Sequence, residues 1–113
     1  MNVTVTFRHL PSSDALRDHA TEKVEKFKKY LIDPIDIHIV LRVEKIRQLA
    51  EVTVNAKNYR IHATEESPDM YTSIDKVVSK LESQMRRHKE KVKDHKMDSK
   101  AFQIIENSVP AAD

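Results

Sequence analysis

The chain contains no glycine and no cysteine in 113 residues. Phosphate-cradling loops, dinucleotide fingerprints and nucleophile elbows all place glycine where the backbone turns tightly or approaches a ligand, so nucleotide-dependent enzymes lose their usual signature here. The lack of cysteine excludes disulfides, thiolate metal sites and cysteine nucleophiles, and suits a reducing compartment. Aromatic residues make up only 5% of the chain, and no apolar run approaches the roughly 20 residues that a membrane span requires. The opening MNVTVTFRHL has no basic region leading into an apolar stretch, as a secretory signal would. The expectation is a soluble, cytoplasmic protein with no membrane partner.

Charge is what the sequence has in abundance. Charged residues form 34% of the chain while the formal net charge is only +2, so any signal lies in local segregation. A length of 113 residues suits one domain around a single core, which leaves no cleft between domains for catalysis. The segregation is sharpest in SQMRRHKEKVKDHK, where Arg86, Arg87, Lys89, Lys91, Lys93 and Lys96 face only Glu90 and Asp94, a surplus of four positive charges.

Periodicity places this segment on a helix. Val3, Val5 and Phe7 alternate with Thr4, Thr6 and Arg8, the pattern of a strand with one buried face. Ser13 is placed to cap a first helix in which Leu16, Ala20, Val24, Phe27 and Leu31 recur at helical spacing, ending before Pro34. Residues 35–43 alternate Ile35, Ile37, Ile39, Leu41 and Val43 against Asp36, His38 and Arg42. After a connection through EKIRQ, LAEVTVNA and YRIHA repeat the alternation on either side of Lys57-Asn58, with Asn58 the best non-glycine residue for a positive φ. TEESPD is expected to be a loop, with Asp69 capping a second helix from Met70 to the mid-nineties. Met70, Ile74, Val77, Val78, Leu81, Met85 and more weakly Val92 form its apolar stripe, and its last turns should overhang the core.

The expected fold is α+β in the order β-α-β-β-β-α: a four-stranded sheet with two helices packed on one face and a polar opposite face. Residues 1–96 form the expected domain and residues 97–113 a flexible C-terminal tail. One core consumes all the apolar stripes, so a monomer is expected.

The second helix projects its cations along two ridges. Lys76, Lys80, Arg87 and Lys91 lie opposite the apolar stripe, and Arg86, Lys89 and Lys93 gather on one flank. Such a surface is either a solvated helix face, with Glu82 to Arg86 as one i,i+4 pair, or the electrostatic footprint of a nucleic-acid binder. The first helix contributes Lys23, Lys26, Lys28 and Lys29, but Glu22 and Glu25 stand four residues before Lys26 and Lys29 and balance them in isolation. Two helices side by side on a sheet would form a groove with basic rims.

Other chemistry is weaker. His88 and His95 lie two helical turns apart, and His38 and His62 sit on strands without carboxylates at ligand spacing, so no metal and no cofactor is expected. No nucleophile, base and oxyanion pocket are ordered together, and no enzyme is expected. Tyr59 and Tyr71 suit either a core edge or stacking on bases.

The segment DMYTSIDKVVSKLESQMRRHKEK resembles the second helix of the ribosome hibernation promoting factor and protein Y family, also called ribosome-associated inhibitors or sigma-54 modulation proteins. The resemblance extends over about residues 1–96, including ALRDHATEKVEKFKKY and AEVTVNAKNYRIHATEESPDMY. It implies a β-α-β-β-β-α fold similar to double-stranded RNA-binding domains. It also implies a partner, the small ribosomal subunit with its 16S rRNA, within 70S and 100S ribosomes. The protein would occupy the channel where messenger and transfer RNAs meet the decoding centre, silencing translation under stress or in stationary phase. By position, the family's basic residues fall on Lys23, Lys26 and Lys29 and on Lys80, Arg86, Arg87, Lys89, Lys91 and Lys93. The chain is expected to be a short form, without the second, dimerising domain of long members, and the resemblance leaves open whether it promotes or opposes ribosome dimerisation. The alternative is a protein-interaction module acting on a regulatory protein such as a sigma-54 system component.

Overall fold

A computed structural model describes residues 1–94, with side chains described through Lys89. The tail expected at 97–113 lies outside the described residues, as do the side chains of Lys91, Val92 and Lys93. The elements run β1 (Asn2–Arg8), α1 (Asp14–Val24), a 3₁₀ helix (Glu25–Lys29), β2 (Asp36–Glu44), β3 (Arg47–Ala56), β4 (Tyr59–Ser67) and α2 (Met70–Asp94). The four strands form one sheet in the order β1-β2-β3-β4, with β1 parallel to β2 and the other neighbours antiparallel.

Strand alternation decides which face is buried. Val5, Ile39, Val52 and Ala63 lie in cross-strand register, and the helices cover this side of the sheet with Leu16, Ala20, Val24, Ile74, Val77, Leu81 and Met85. The opposite face carries Thr4, His38, Thr53 and His62 in one row. The expected α+β order and single-sided helix packing are therefore the observed ones. Among the described residues no helix is long and apolar enough to cross a membrane.

Three local expectations need correction. The first helix is not continuous to Leu31: α1 stops at Val24 and the chain tightens into the 3₁₀ helix. Its apolar residues explain this, because Leu16, Ala20 and Val24 step by four whereas Val24, Phe27 and Tyr30 step by three. Three residues per turn keeps Phe27 fully buried and Tyr30 beneath α2, where a 3.6-residue turn would rotate them away. The EKIRQ connection shrinks to Lys45-Ile46, with Lys45 in the left-handed region at φ 58°. TEESPD is not a loop throughout, since β4 continues to Ser67. The longer start of β3 supplies partners for it: Gln48 pairs with Ser67, and Arg47 grips Glu66 through Nε and Nη2 at 2.8 and 2.7 Å. This bidentate hydrogen bond, with charge attraction, holds the Glu66 carboxyl below its usual range.

The expected caps and turn are present. Ser13 Oγ accepts from the Leu16 N–H at 3.2 Å, and Asp69 Oδ2 accepts from the Thr72 N–H at 3.0 Å. Asn58 adopts φ 60° in the β3–β4 turn, where a chain without glycine depends on the residue type that best tolerates the left-handed region. At 1.5 Å per residue the 25 residues of α2 extend roughly 37 Å, longer than the roughly 30 Å of the strands beneath.

Candidate nucleic-acid interface

The two helices run parallel. His19 faces Asp75, Lys26 faces Glu82, and Lys29 meets Lys89, so residue numbers rise together along both helices. Both N-termini therefore lie at one end of the molecule, and both helix dipoles point the same way. The charges follow them. Asp14, Asp18 and Asp75 occupy the N-terminal halves and Asp69 caps α2, while Lys28, Lys29, Arg86, Arg87 and Lys89 gather towards the C-terminal ends. Each sign sits where it opposes the partial charge of the helix end, and the side-by-side repulsion of parallel dipoles is reduced.

This arrangement divides the cations expected on the basic face. Lys26 Nζ lies 3.0 Å from Glu82 Oε1, while the Tyr30 hydroxyl donates to Glu82 Oε2 at 3.1 Å. Lys23 is 3.9 Å from Asp75, whose same oxygen is 2.8 Å from His19 Nε2. Lys80 and Lys76 both approach Glu65 at 3.7 Å, and Lys76 also donates to the Glu66 carbonyl at 3.0 Å. Lys23, Lys26 and Lys80 are thus compensated from other elements. Lys29, Arg86, Arg87 and Lys89 make no ion pair with a carboxylate among the described residues.

Two of these cations, Lys29 and Lys89, meet where the 3₁₀ helix packs beside α2. Lys89 Nζ donates to the Lys29 carbonyl at 2.7 Å, completing one of the acceptors left open at a helix C-terminus. The Lys29 and Lys89 ammonium groups lie 5.2 and 5.9 Å from the Tyr30 ring centroid, and the Tyr30 hydroxyl is held by Glu82. Two positive groups are thereby gathered on one aromatic ring without being neutralised. Arg86 and Arg87 are exposed one turn before, and the α2 backbone carries the positions of Lys91 and Lys93 beyond. The pair expected between Glu82 and Arg86 gives way to Lys26 and Tyr30, which occupy both Glu82 oxygens.

Sequence reasoning paired Glu82 with Arg86 and missed its role as the clamp on Lys26 and Tyr30. The Lys26 hydrogen bond, aided by Tyr30 and by charge attraction to Lys26 and Arg86, holds its carboxyl below the ordinary glutamate value of 4.5 against the opposing effect of burial. A depressed folded-state pKa contributes stability that is present above the unfolded value and is lost as pH falls through the folded one. Stability to urea should therefore decline below about pH 4.5. Glu82→Gln should flatten the Glu82 part of that decline, and an unchanged slope in urea midpoints from pH 6 to pH 3 would contradict the clamp.

The polar sheet face has a different character. Thr53 Oγ1 is 2.8 Å from His62 Nδ1, and His62 Nε2 is 3.1 Å from Glu51 Oε2. Glu51 can only accept, so Nε2 carries a proton, and in the neutral ring Nδ1 accepts from the threonine hydroxyl. This resembles a nucleophile–base–acid line, but β3 is paired on both sides, so its amides are committed to ladder hydrogen bonds and none can hold an oxyanion. Arg42, Glu44, Arg47 and Glu66 extend the same face as mutually compensated charges. Among the described residues no group of three or more His, Cys, Asp or Glu residues can hold a metal, and His88 instead stacks on Tyr59 at 3.9 Å between centroids. The two tyrosines separate: Tyr59 is buried, and Tyr71 is exposed with its ring edge-to-face against His19.

The comparisons with known proteins agree with this fold. The ribosome hibernation promoting factor of Salmonella typhimurium is 35% identical over 95 residues, which are 84% of this chain and the whole of the relative. The same-named Escherichia coli K12 protein is 34% identical with the same coverage. The crystal structure of the Thermus thermophilus protein Y N-terminal domain superposes with a TM-score of 0.72 at 30% identity, covering 77% of this chain and 98% of that one. A ribosomal subunit interface protein from Coxiella burnetii gives a TM-score of 0.68 at 30% identity, covering 79% and 98%. With its residues 3–93 matching the model of the Sigma 54 modulation protein / S30EA ribosomal protein family, the chain belongs to that family.

Proposed function

We propose that this chain is a ribosome hibernation factor that binds 16S rRNA of the small subunit and silences translation without chemistry. On this reading the basic end of the two helices enters the channel used by messenger and transfer RNAs at the decoding centre and excludes them by volume, during stress or stationary phase. The observation that carries the reading is the gathering of Lys29, Arg86 and Lys89 at the end of the two-helix layer, with Arg87 on the outer side of the same turn, none of them in an ion pair with a described carboxylate. The Salmonella and Escherichia relatives are named ribosome hibernation promoting factors, and the Coxiella neighbour is a ribosomal subunit interface protein, which supports the same partner.

The interface consists first of these four residues, with Lys91 and Lys93 extending it along α2. Lys23, Lys26 and Lys80 add less, because each is held by an acid of this chain. Binding resides in residues 1–96, and the protein is a cytoplasmic monomer when free of 30S, 70S or 100S ribosomes. About six neutralised phosphates would make affinity fall roughly 10³-fold between 50 and 200 mM salt. Sedimentation with small subunits and 70S ribosomes tests the reading: co-migration at low salt that disappears as salt rises is expected. Protein left at the top of the gradient at low salt would refute it.

A further inference from the structure

The β3–β4 hairpin lies at the same end as the free cations of the helices. The Lys57 N–H donates to the Ile32 carbonyl at 3.3 Å, and Tyr59, the first residue of β4, stacks on His88 of α2. These contacts tie the hairpin both to the segment that follows Lys29 and to the helical turn that carries Lys89. Ile32 is three residues beyond Lys29, so their Cα atoms are separated by at most roughly 11 Å. With the 3.3 Å hydrogen bond added, the Lys57 backbone lies within roughly two Debye lengths of Lys29, the length being about 8–10 Å at 0.1–0.15 M salt, so the hairpin tip and the helical cations can bear on the same polyanion.

Lys57 and Arg60 are exposed, and neither makes an ion pair with a described carboxylate. Tyr59 and Ile61 point into the core, so Arg60 stands on the other face of β4 and Lys57 at its tip. The cations therefore fan around the rim of this end instead of lining one helix face. Among the residues with described side chains, Asp36, which accepts from the Asn2 side chain, and the exposed Asp33 interrupt the fan.

We propose that the β3–β4 hairpin is a third arm of the polyanion interface, in which Lys57 and Arg60 grip the sugar-phosphate backbone of RNA alongside Lys29, Arg86 and Lys89. The proposal rests on the ribosome-binding reading above and extends it from two helices to three elements. Cations spread over three elements at one end of the molecule match a chain of regularly spaced phosphates better than the compact carboxylate cluster of a protein.

The test is binding of the full chain to small ribosomal subunits across a salt series. Lys57→Glu with Arg60→Glu should weaken binding about 10- to 100-fold and reduce the slope of log affinity against log salt by about 1.4 to 1.8, two contacts' worth. Far-UV circular dichroism and the thermal midpoint check that the variant folds, and Lys57→Gln with Arg60→Gln should show a smaller change of the same sign. Asp33→Asn should tighten binding. Wild-type affinity and slope in the hairpin variants, with Arg86→Glu/Lys89→Glu still defective, would overturn the hairpin arm and leave the ribosome reading intact. Failure of the wild type to bind would remove both. Because the chain has no cysteine, Lys57→Cys carries a single thiol for a tethered iron chelate. Cleavage of 16S rRNA from Lys57→Cys, and none from Asp18→Cys at the acidic end, is expected. An uncut rRNA with the Lys57 tether, where an Arg87→Cys tether cuts, would also overturn the proposal, as would displacement of subunits by polyglutamate as readily as by RNA.

Discussion

Arg86→Glu combined with Lys89→Glu is expected to weaken binding to small ribosomal subunits by at least about 100-fold at 100 mM salt. Hydrogen bonds to charged groups contribute about 1.5–3 kcal/mol each, so two lost phosphate contacts amount to roughly 3–6 kcal/mol, or two to four decades of affinity. Reversal adds repulsion to the loss. Both side chains are exposed, and among the described residues the hydrogen bond sacrificed is that from Lys89 to the Lys29 carbonyl, so the thermal midpoint should move little. The sharper comparison is with Lys26→Gln. Lys26 lies on the same layer but is bound to Glu82, and its removal leaves that largely covered carboxylate held only by the Tyr30 hydroxyl and by attraction to Arg86. Lys26→Gln should therefore lower stability while changing subunit affinity by less than about threefold, well under the decade that a lost phosphate contact would cost. Equilibrium binding across a salt series measures both. Equal losses from the two variants would mean that the whole helix layer, and not its C-terminal end, meets the RNA.

Much of the fold was legible in the sequence because its determinants are local. Alternation in IDIHIVLRV and AEVTVNA set the strands and their buried face, Asp69 marked the start of α2, and Asn58 marked a turn in a chain without glycine. What was not legible depended on partners distant in the chain. The fate of Thr64–Ser67 was decided by Arg47 and Gln48 on the neighbouring strand, and the change from α to 3₁₀ after Val24 by which turn size keeps Phe27 buried. The site followed the same rule. Counting acids four residues from each lysine paired Lys26 with Glu22 and Lys29 with Glu25. In the fold Lys26 turns to Glu82, 56 positions away, Glu25 takes Lys28, and Lys29 is left free. The surplus after Leu81 was visible, but its position at one pole required knowing that α1 and α2 run parallel. The same knowledge brings the β3–β4 hairpin to that pole, because α2 returns along the sheet antiparallel to β4 and so ends beside Tyr59.

Phe27→Ala should be the most destabilising single truncation of the layer that presents the basic end. Phe27 is fully buried, is the largest side chain in the 3₁₀ helix, and lies between Val24 and Tyr30 at the three-residue spacing that defines this segment. Truncating a buried phenylalanine costs about 3–5 kcal/mol, from lost transfer energy and from the cavity left behind. Against a total stability of about 5–15 kcal/mol this is a large fraction, and at about 4–8 °C per kcal/mol the thermal midpoint should fall by roughly 12–40 °C. Phe7→Ala provides the contrast: Phe7 lies on an edge strand, half-buried beneath the Arg17 guanidinium 5.3 Å from its ring, and should cost about half as much. Urea denaturation of the three proteins measures the difference, with unchanged m-values expected if the denatured states are alike. The 3₁₀ geometry has no side-chain cap of its own, and what holds it is Phe27 below and the Glu82 clamp on Lys26 and Tyr30 above. If Phe27→Ala moved the urea midpoint no more than Phe7→Ala does, the tightened turn would be a local preference of the chain and not a consequence of packing. The placement of Lys29 against Lys89 would then need another cause.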